Sequence, residues 1–371
     1  FIDDQGINHD SAILFQSKNF SFFNQNDCKI FDLLNKVSKA EKNIDYYSCQ
    51  FSGANWHPST FSMSEKEKQK ISQTRNNQKF TNIAESILKL SPKNYIASAG
   101  PVCFLDPEED YINENIYNFP HSNELFKYLK LYFKNNNIKC KLLSPSPGED
   151  IAEDKIKYIS PPRKKDIVSY RKQFFQGRPN LKVESKEIVL FLNKKLKKIK
   201  DYIDACDFQG PIIYTLNNIN YLIDFDQVKI KIIEELSFPK TYMRIIASDW
   251  WFKLMVNNES GQNLCLTMHP RITRNNKYCV FQNLFLFSNL NDIRITFEQT
   301  LNLNMKRCRI KLNNGCKFEI NRFCPHQGAD LKNVKIIDGI LTCPRHNISF
   351  DLNQEGKALN GINLTLNAKK I

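Results

Sequence analysis

The chain has 371 residues, of which 41% are hydrophobic and 12% aromatic, enough for two domains whose cores need no covalent staples. It has no apolar run of the ~18 residues that a transmembrane helix needs. The net charge of +14 would suit nucleic acid, a membrane face or an anionic small molecule, but no nucleic-acid reading module is present. Neither nucleic acid nor membrane is therefore expected as a partner. Eleven cysteines, an odd number without paired spacing, argue against an oxidised scaffold and for a reducing, cytoplasmic setting.

Taken in order, Ser11–Phe15 and Phe20–Phe23 alternate polar and apolar side chains and predict a strand hairpin. Asn26-Asp27-Cys28 follows the second strand, and residues 45–52 predict a third. Ser64 and Glu67 form a capping box. The helix behind it carries Ile83, Ala84, Ile87 and Leu88 and stops at Ser91-Pro92. A strand over 95–97, a helix over 122–136 and a loop at Ser144-Pro145-Ser146-Pro147-Gly148 come next. Residues 184–206 predict a helix with Ile188, Leu190, Leu192, Leu196 and Ile199 inward and the lysines of 194–200 as a solvated basic face. Strands are expected at 211–215 and 220–224, and from about residue 290 short strands separated by Asn and Gly turns.

That last region holds the most specific chemistry. Cys324-Pro325-His326 and Cys343-Pro344-Arg345-His346 each carry one cysteine and one histidine. Two thiolates and two imidazoles are the ligand set of a Rieske [2Fe–2S] cluster, in which Cys324 and Cys343 hold one iron and His326 and His346 the other. Strands at 334–337 and 340–342 around Asp338-Gly339 would join the two loops. Structural zinc is the competing use of two cysteines and two histidines, but zinc fingers usually separate the two residue types onto different arms. Segments 324–331 and 343–352 resemble Rieske-type ferredoxins and the Rieske domains of oxygenases. Respiratory Rieske proteins carry an extra cysteine on each loop, and this chain has none there. Asn347-Ile348 stands where the oxygenase branch has Gly-Trp, so the second loop is expected to pack less tightly.

The segments His9–Ile13, Asn26–Cys28, Phe51–Ala54, Ser98–Pro101 and Leu236–Lys240, taken in order, resemble the metallo-β-lactamase-fold part of CMP-N-acetylneuraminate hydroxylases and their bacterial relatives. In those proteins the Rieske domain precedes that fold, whereas here it follows. The resemblance implies an α+β or α/β architecture: a partial metallo-β-lactamase-like αββα domain followed by a small all-β Rieske domain. The boundaries expected are 1–140 for the hydrolase-like part, 141–288 for its extension and 289–371 for the Rieske domain. It also implies a second metal site, a mononuclear iron or zinc, with Asp27 and either His9 or Asp10 as ligands. The H-x-H-x-D-H signature of that fold is absent, His57, His121 and His269 are isolated, and Ser98 occupies the place of a final histidine. The first residue is Phe1, so the chain is expected to be a fragment or processed product with sequence upstream.

The expected function is that of an oxidoreductase. The cluster would take electrons from an external donor (a reductase, ferredoxin or cytochrome) and pass them to the second metal, where O2 hydroxylates a small anionic, nucleotide-sugar-like substrate. The alternatives are a metal-dependent hydrolase with a redox module and a simple electron carrier. No G-x-G-x-x-G is present for a nicotinamide or flavin.

Overall fold

The computed structural model describes residues 2–3, 10–53, 55–113, 117–145, 164–312, 314–326, 328–345, 347–359 and 364–371. The chain forms two compact units, residues 1–58 with 64–177 and residues 59–63 with 178–371. Residues 146–148 of the expected Ser/Pro loop lie outside the described residues.

The first unit runs β1 (Ile2–Asp3), β2 (Ser11–Ser17), β3 (Phe20–Asn26), α1 (Leu34–Ala40), β4 (Tyr46–Gln50), α2 (Glu65–Leu90), β5 (Asn94–Ser98), α3 (Asp110–Asn113), α4 (Ser122–Asn136), β6 (Lys141–Leu143) and α5 (Lys164–Phe174). Its sheet has the order β1-β2-β3-β4-β5-β6. Strands β1 to β3 pair antiparallel, and β3 to β6 pair parallel. Parallel strands joined in sequence order by right-handed crossovers place their helices on one face. The core has that composition: Phe23, Tyr47 and Tyr95 from the strands meet Val37, Ile83, Ile87 and Leu129 from α1, α2 and α4. The three strand residues are cross-strand partners, and their rings lie 5.7 and 5.6 Å apart. Each fully buried ring contributes about 1.5–3 kcal/mol.

Helix α2 begins at the predicted capping box. Ser64 Oγ accepts from the Glu67 backbone at 3.3 Å, and Glu67 Oε2 accepts from the Ser64 backbone at 2.9 Å. It ends at Ser91, whose φ of 46° leaves the helical region just before Pro92.

The second unit begins with α6 (Ser185–Ile199), followed by β7 (Ile212–Leu216), β8 (Ile219–Asp224), β9 (Lys229–Ile233), β10 (Met243–Ile246), α7 (Asp249–Val256), α8 (Gly261–Leu266), β11 (Arg271–Arg274), α9 (Val280–Phe287) and α10 (Ile293–Met305). Its first sheet has the order β11-β10-β7-β8-β9. Asn217 and Asn218, with φ of 49° and 64°, make the tight turn between β7 and β8, as a two-residue hairpin requires.

Three expectations change here. The predicted helix over 184–206 gives way after Ile199 to a 3₁₀ turn over Lys200–Ala205. Leu190 is exposed, and Phe191 takes the inward place. Lys195 is not on the solvated face: it is 1% exposed, because it falls on the same helical stripe as Ile188, Leu192 and Ile199. Its Nζ donates to the Phe285 carbonyl and lies 4.8 Å from the Phe285 ring centroid.

The chain from 290 onward does not begin with strands. Helix α10 buries Ile293, Phe297 and Thr300 and packs on α6 and α9. The β module starts after it, with β12 (Arg307–Lys311), β13 (Lys317–Asn321), β14 (Ile336–Ile337), β15 (Ile340–Thr342), β16 (Ser349–Asp351), β17 (Lys357–Ala358) and β18 (Lys369–Lys370). These form a three-stranded sheet, β12-β13-β18, and a four-stranded sheet, β14-β15-β16-β17. They enclose a small core that includes Ile320, Leu341, Phe350 and Leu366. None of the described helices is long and apolar enough to cross a membrane.

Candidate iron–sulfur centre

The two Cys/His loops are built alike. In the first, after β13, the Cys324 N–H donates to the Ala329 carbonyl and the Gly328 N–H to the Cys324 carbonyl, both at 2.8 Å. In the second, between β15 and β16, the Cys343 N–H donates to the Ile348 carbonyl at 2.8 Å and the Asn347 N–H to the Cys343 carbonyl at 2.9 Å. Each loop is clamped at its base by a pair of residues at equivalent positions. One is the Phe323–Asp330 bridge, and the other is the Thr342–Ser349 pair. Arg322 braces the first clamp through an ion pair to Asp330 at 2.6 Å. The Thr342 and Ser349 hydroxyls brace the second at 2.9 Å.

The turn back toward the cysteine requires a left-handed residue at the same position in each loop. Gly328 has φ of 69° and Asn347 has φ of 52°. Asparagine is among the few non-glycine residues that adopt this region readily. The departure from Gly-Trp therefore leaves the second loop as tightly closed as the first, contrary to expectation, with Ile348 only 3% exposed.

The result is two equivalent thiols, Cys324 at 2% and Cys343 at 0% exposure, at the bases of twin loops. Both are free of disulfides. His326 is half-buried on the first loop, whereas His346 lies outside the described residues. Arg345, 7% exposed, brings a cation into the second loop, which suits a thiolate-bound centre. Among the described residues no three His, Cys, Asp or Glu side chains converge on one ion. A Rieske centre does not ask for that, since its protein ligands divide two to each iron. The residues present fit a [2Fe–2S] group.

The residues expected to hold a second metal fall in the first unit. Gln25, fully buried, sets the turn that carries Asp27: its Nε2 donates to the Cys28 carbonyl at 2.8 Å, and Tyr47 Oη donates to its Oε1 at 2.7 Å. Asp27 is exposed, one residue past β3. Asp10 immediately precedes β2 and accepts from the Ser11 N–H at 2.8 Å. The antiparallel register of β2 on β3, with Ile13 opposite Asn24, brings Asp10 and Asp27 to one sheet edge. His9 lies outside the described residues.

The segments after β4 and β5 reach the same edge. The Phe51 N–H donates to the Ser98 carbonyl at 3.3 Å, and Ser48 Oγ donates to Ser98 Oγ at 2.9 Å. Gly100 passes so close that a Cβ there would lie 2.4 Å from the Ser52 carbonyl oxygen. Asp27 is within electrostatic reach of Lys79. Burial, then Arg75 and Lys29, push this ammonium down to about 8 against the opposing pull of Cys49 and Asp27. His121 stands at the start of α4, and His269 packs edge-on against Trp250 at 4.9 Å.

Residues 303–364 match the Rieske [2Fe-2S] domain family. Over 383 aligned positions the chain is 23% identical to a protein of Mycobacterium tuberculosis strain H37Rv named as a Rieske 2Fe-2S iron-sulfur protein, covering 94% of this chain and 72% of that one. A like-named protein of Mycolicibacterium smegmatis is 28% identical over 106 residues, 29% of this chain and 20% of its own. No solved structure matches the chain.

Proposed function

We propose that this chain, which carries a Rieske [2Fe–2S] domain, is a one-electron transfer protein whose cluster ligands are Cys324, Cys343, His326 and His346. The observation that carries the assignment is the twin-loop geometry, with two buried cysteines at equivalent positions and one histidine following each. The cluster would supply a one-electron couple between about −150 and +300 mV, against roughly −400 mV for an all-cysteine plant-type centre. The chain's own residues hold the loops closed through the cysteine N–H and carbonyl groups and keep the thiolate side of the centre away from water. The external donor is expected to be a reductase, ferredoxin or cytochrome. The potential provides the test. His346→Cys exchanges a neutral imidazole for a thiolate, and the midpoint should drop out of the Rieske range. An unmoved midpoint would remove His346 from the ligand set.

A second reading gives the electron a destination in the first unit. It is favoured by the meeting of Asp10, Asp27, Phe51–Gly53 and Ser98–Gly100 at the carboxyl edge of parallel strands, where α/β sheets place ligands. The resemblance to CMP-N-acetylneuraminate hydroxylases would make the reaction O2-dependent hydroxylation of an anionic, nucleotide-sugar-like substrate. Asp10 and Asp27 alone fall short of the ligands that a mononuclear iron takes, so no chemical step is drawn through a metal there. Asp27→Ala should lower any non-cluster metal content by at least half. Retention of that metal would exclude Asp27 as a ligand. Substrate-coupled oxygen uptake marks a hydroxylase, product without oxygen uptake a hydrolase, and neither a carrier.

A further inference from the structure

One contact to a cluster ligand comes from outside the residues that match the Rieske family. The Tyr278 ring, between β11 and α9, lies 5.8 Å from the His326 ring, centroid to centroid, at 50°. The Arg274 guanidinium sits 5.6 Å from the Tyr278 centroid. Arg274 is fixed in place, with Nη2 donating to Asn283 Oδ1 at 2.7 Å and lying 3.2 Å from Met243 Sδ. Among the described residues no carboxylate pairs with it, and its Nη1 is buried without a hydrogen-bond partner. By contrast, Arg322 on the first loop is neutralised by Asp330.

A half-buried cation without a counter-ion, and with one N–H buried and unbonded, is costly. It becomes favourable when negative charge appears nearby in the same low-dielectric surroundings. Reduction of the cluster adds one negative charge next to His326, whose ring neighbours the same Tyr278 ring as the Arg274 guanidinium.

We infer that Arg274 and Tyr278 are positioning residues for the cluster: Tyr278 holds the His326 ring, and the Arg274 charge beside Tyr278 favours the reduced state. The mixed sheet-and-helix part of the second unit that precedes the Rieske domain thereby sets that domain's redox balance. The inference rests on the cluster assignment above.

The test is mediated EPR titration of the full chain, with iron and sulfide measured in every variant. Arg274→Met should lower the midpoint so that occupancy by the electron falls about tenfold against a fixed-potential mediator, ~59 mV for one electron. Arg274→Lys should restore most of the loss, and Tyr278→Leu should alter the g-values of the reduced signal. Arg309→Met, which removes an exposed charge on β12, serves as the control and should leave the midpoint in place. A loaded Arg274→Met protein with an unmoved midpoint overturns the inference. So does an equal fall in Arg274→Met and Arg274→Lys, which would assign the effect to packing. If Arg274→Met takes up no iron, Arg274→Gln removes the charge and keeps a donor for Asn283. Failure of both to load gives Arg274 a folding role and also overturns it. Absence of a Rieske signal from the unaltered chain would instead fail the cluster assignment.

Discussion

Cys343→Ser protein should leave purification with iron and sulfide reduced to traces and no Rieske EPR signal. Cys343 is fully buried, in the small core shared with Leu341 and Phe350. Its backbone closes the second loop, so the substitution alters the ligand atom and little else. Serine binds iron far more weakly than thiolate, so the centre should lose its iron when Cys343 is replaced. Metal binding and folding are linked, so the β module over Arg307–Lys370 should also unfold at lower temperature than in the unaltered chain. The first unit has a separate core and should keep its helical signal. Retention of iron and sulfide by Cys343→Ser would exclude this cysteine as a ligand.

Lys195→Met should remove most of the rise in the second unit's stability between about pH 7 and 10.5, because it takes away the buried ammonium whose titration drives it. Burial lowers the Lys195 ammonium from 10.5 to about 7. Above about pH 7 the folded chain therefore holds this lysine neutral, while the unfolded chain keeps it protonated to about 10.5. Unfolding takes up a proton in that window, so stability rises with pH between the two values and its contribution is lost as pH falls toward 7. The full swing is of order 5 kcal/mol, at about 1.4 kcal/mol per pKa unit. Chemical denaturation at pH 7 and pH 9.5 reads the effect. The unaltered protein should gain stability at the higher pH, and Lys195→Met should lack that gain. A variant with an unchanged pH slope would contradict the account.

The sequence disclosed what depends on local chemistry. The capping box at Ser64 and the stop at Ser91-Pro92 bounded α2 because both signals act within a turn of the helix ends. The cluster loops were legible for a similar reason, since each keeps its cysteine and histidine within a few residues. What the sequence concealed depends on distant packing. Ile293-Arg294-Ile295-Thr296-Phe297 alternates like a strand, yet α6 and α9 give it an apolar surface on which a helix buries Ile293 and Phe297 together. Lys195 stands among exposed lysines and differs from them only in its place on the helical stripe. Asn347 read as a loosening substitution because sequence shows a residue type and not its φ. Tyr278 carries no motif, and its role arises only where its loop meets His326.

The central claim is that the twin loops hold a Rieske [2Fe–2S] centre. Iron, zinc and acid-labile sulfide analysis of the purified chain, with EPR after dithionite reduction, tests it most directly. The account predicts about two irons and two sulfides per chain and a Rieske-type signal on reduction. About one zinc per chain, with neither sulfide nor signal, would contradict it and assign the four residues to a structural metal site.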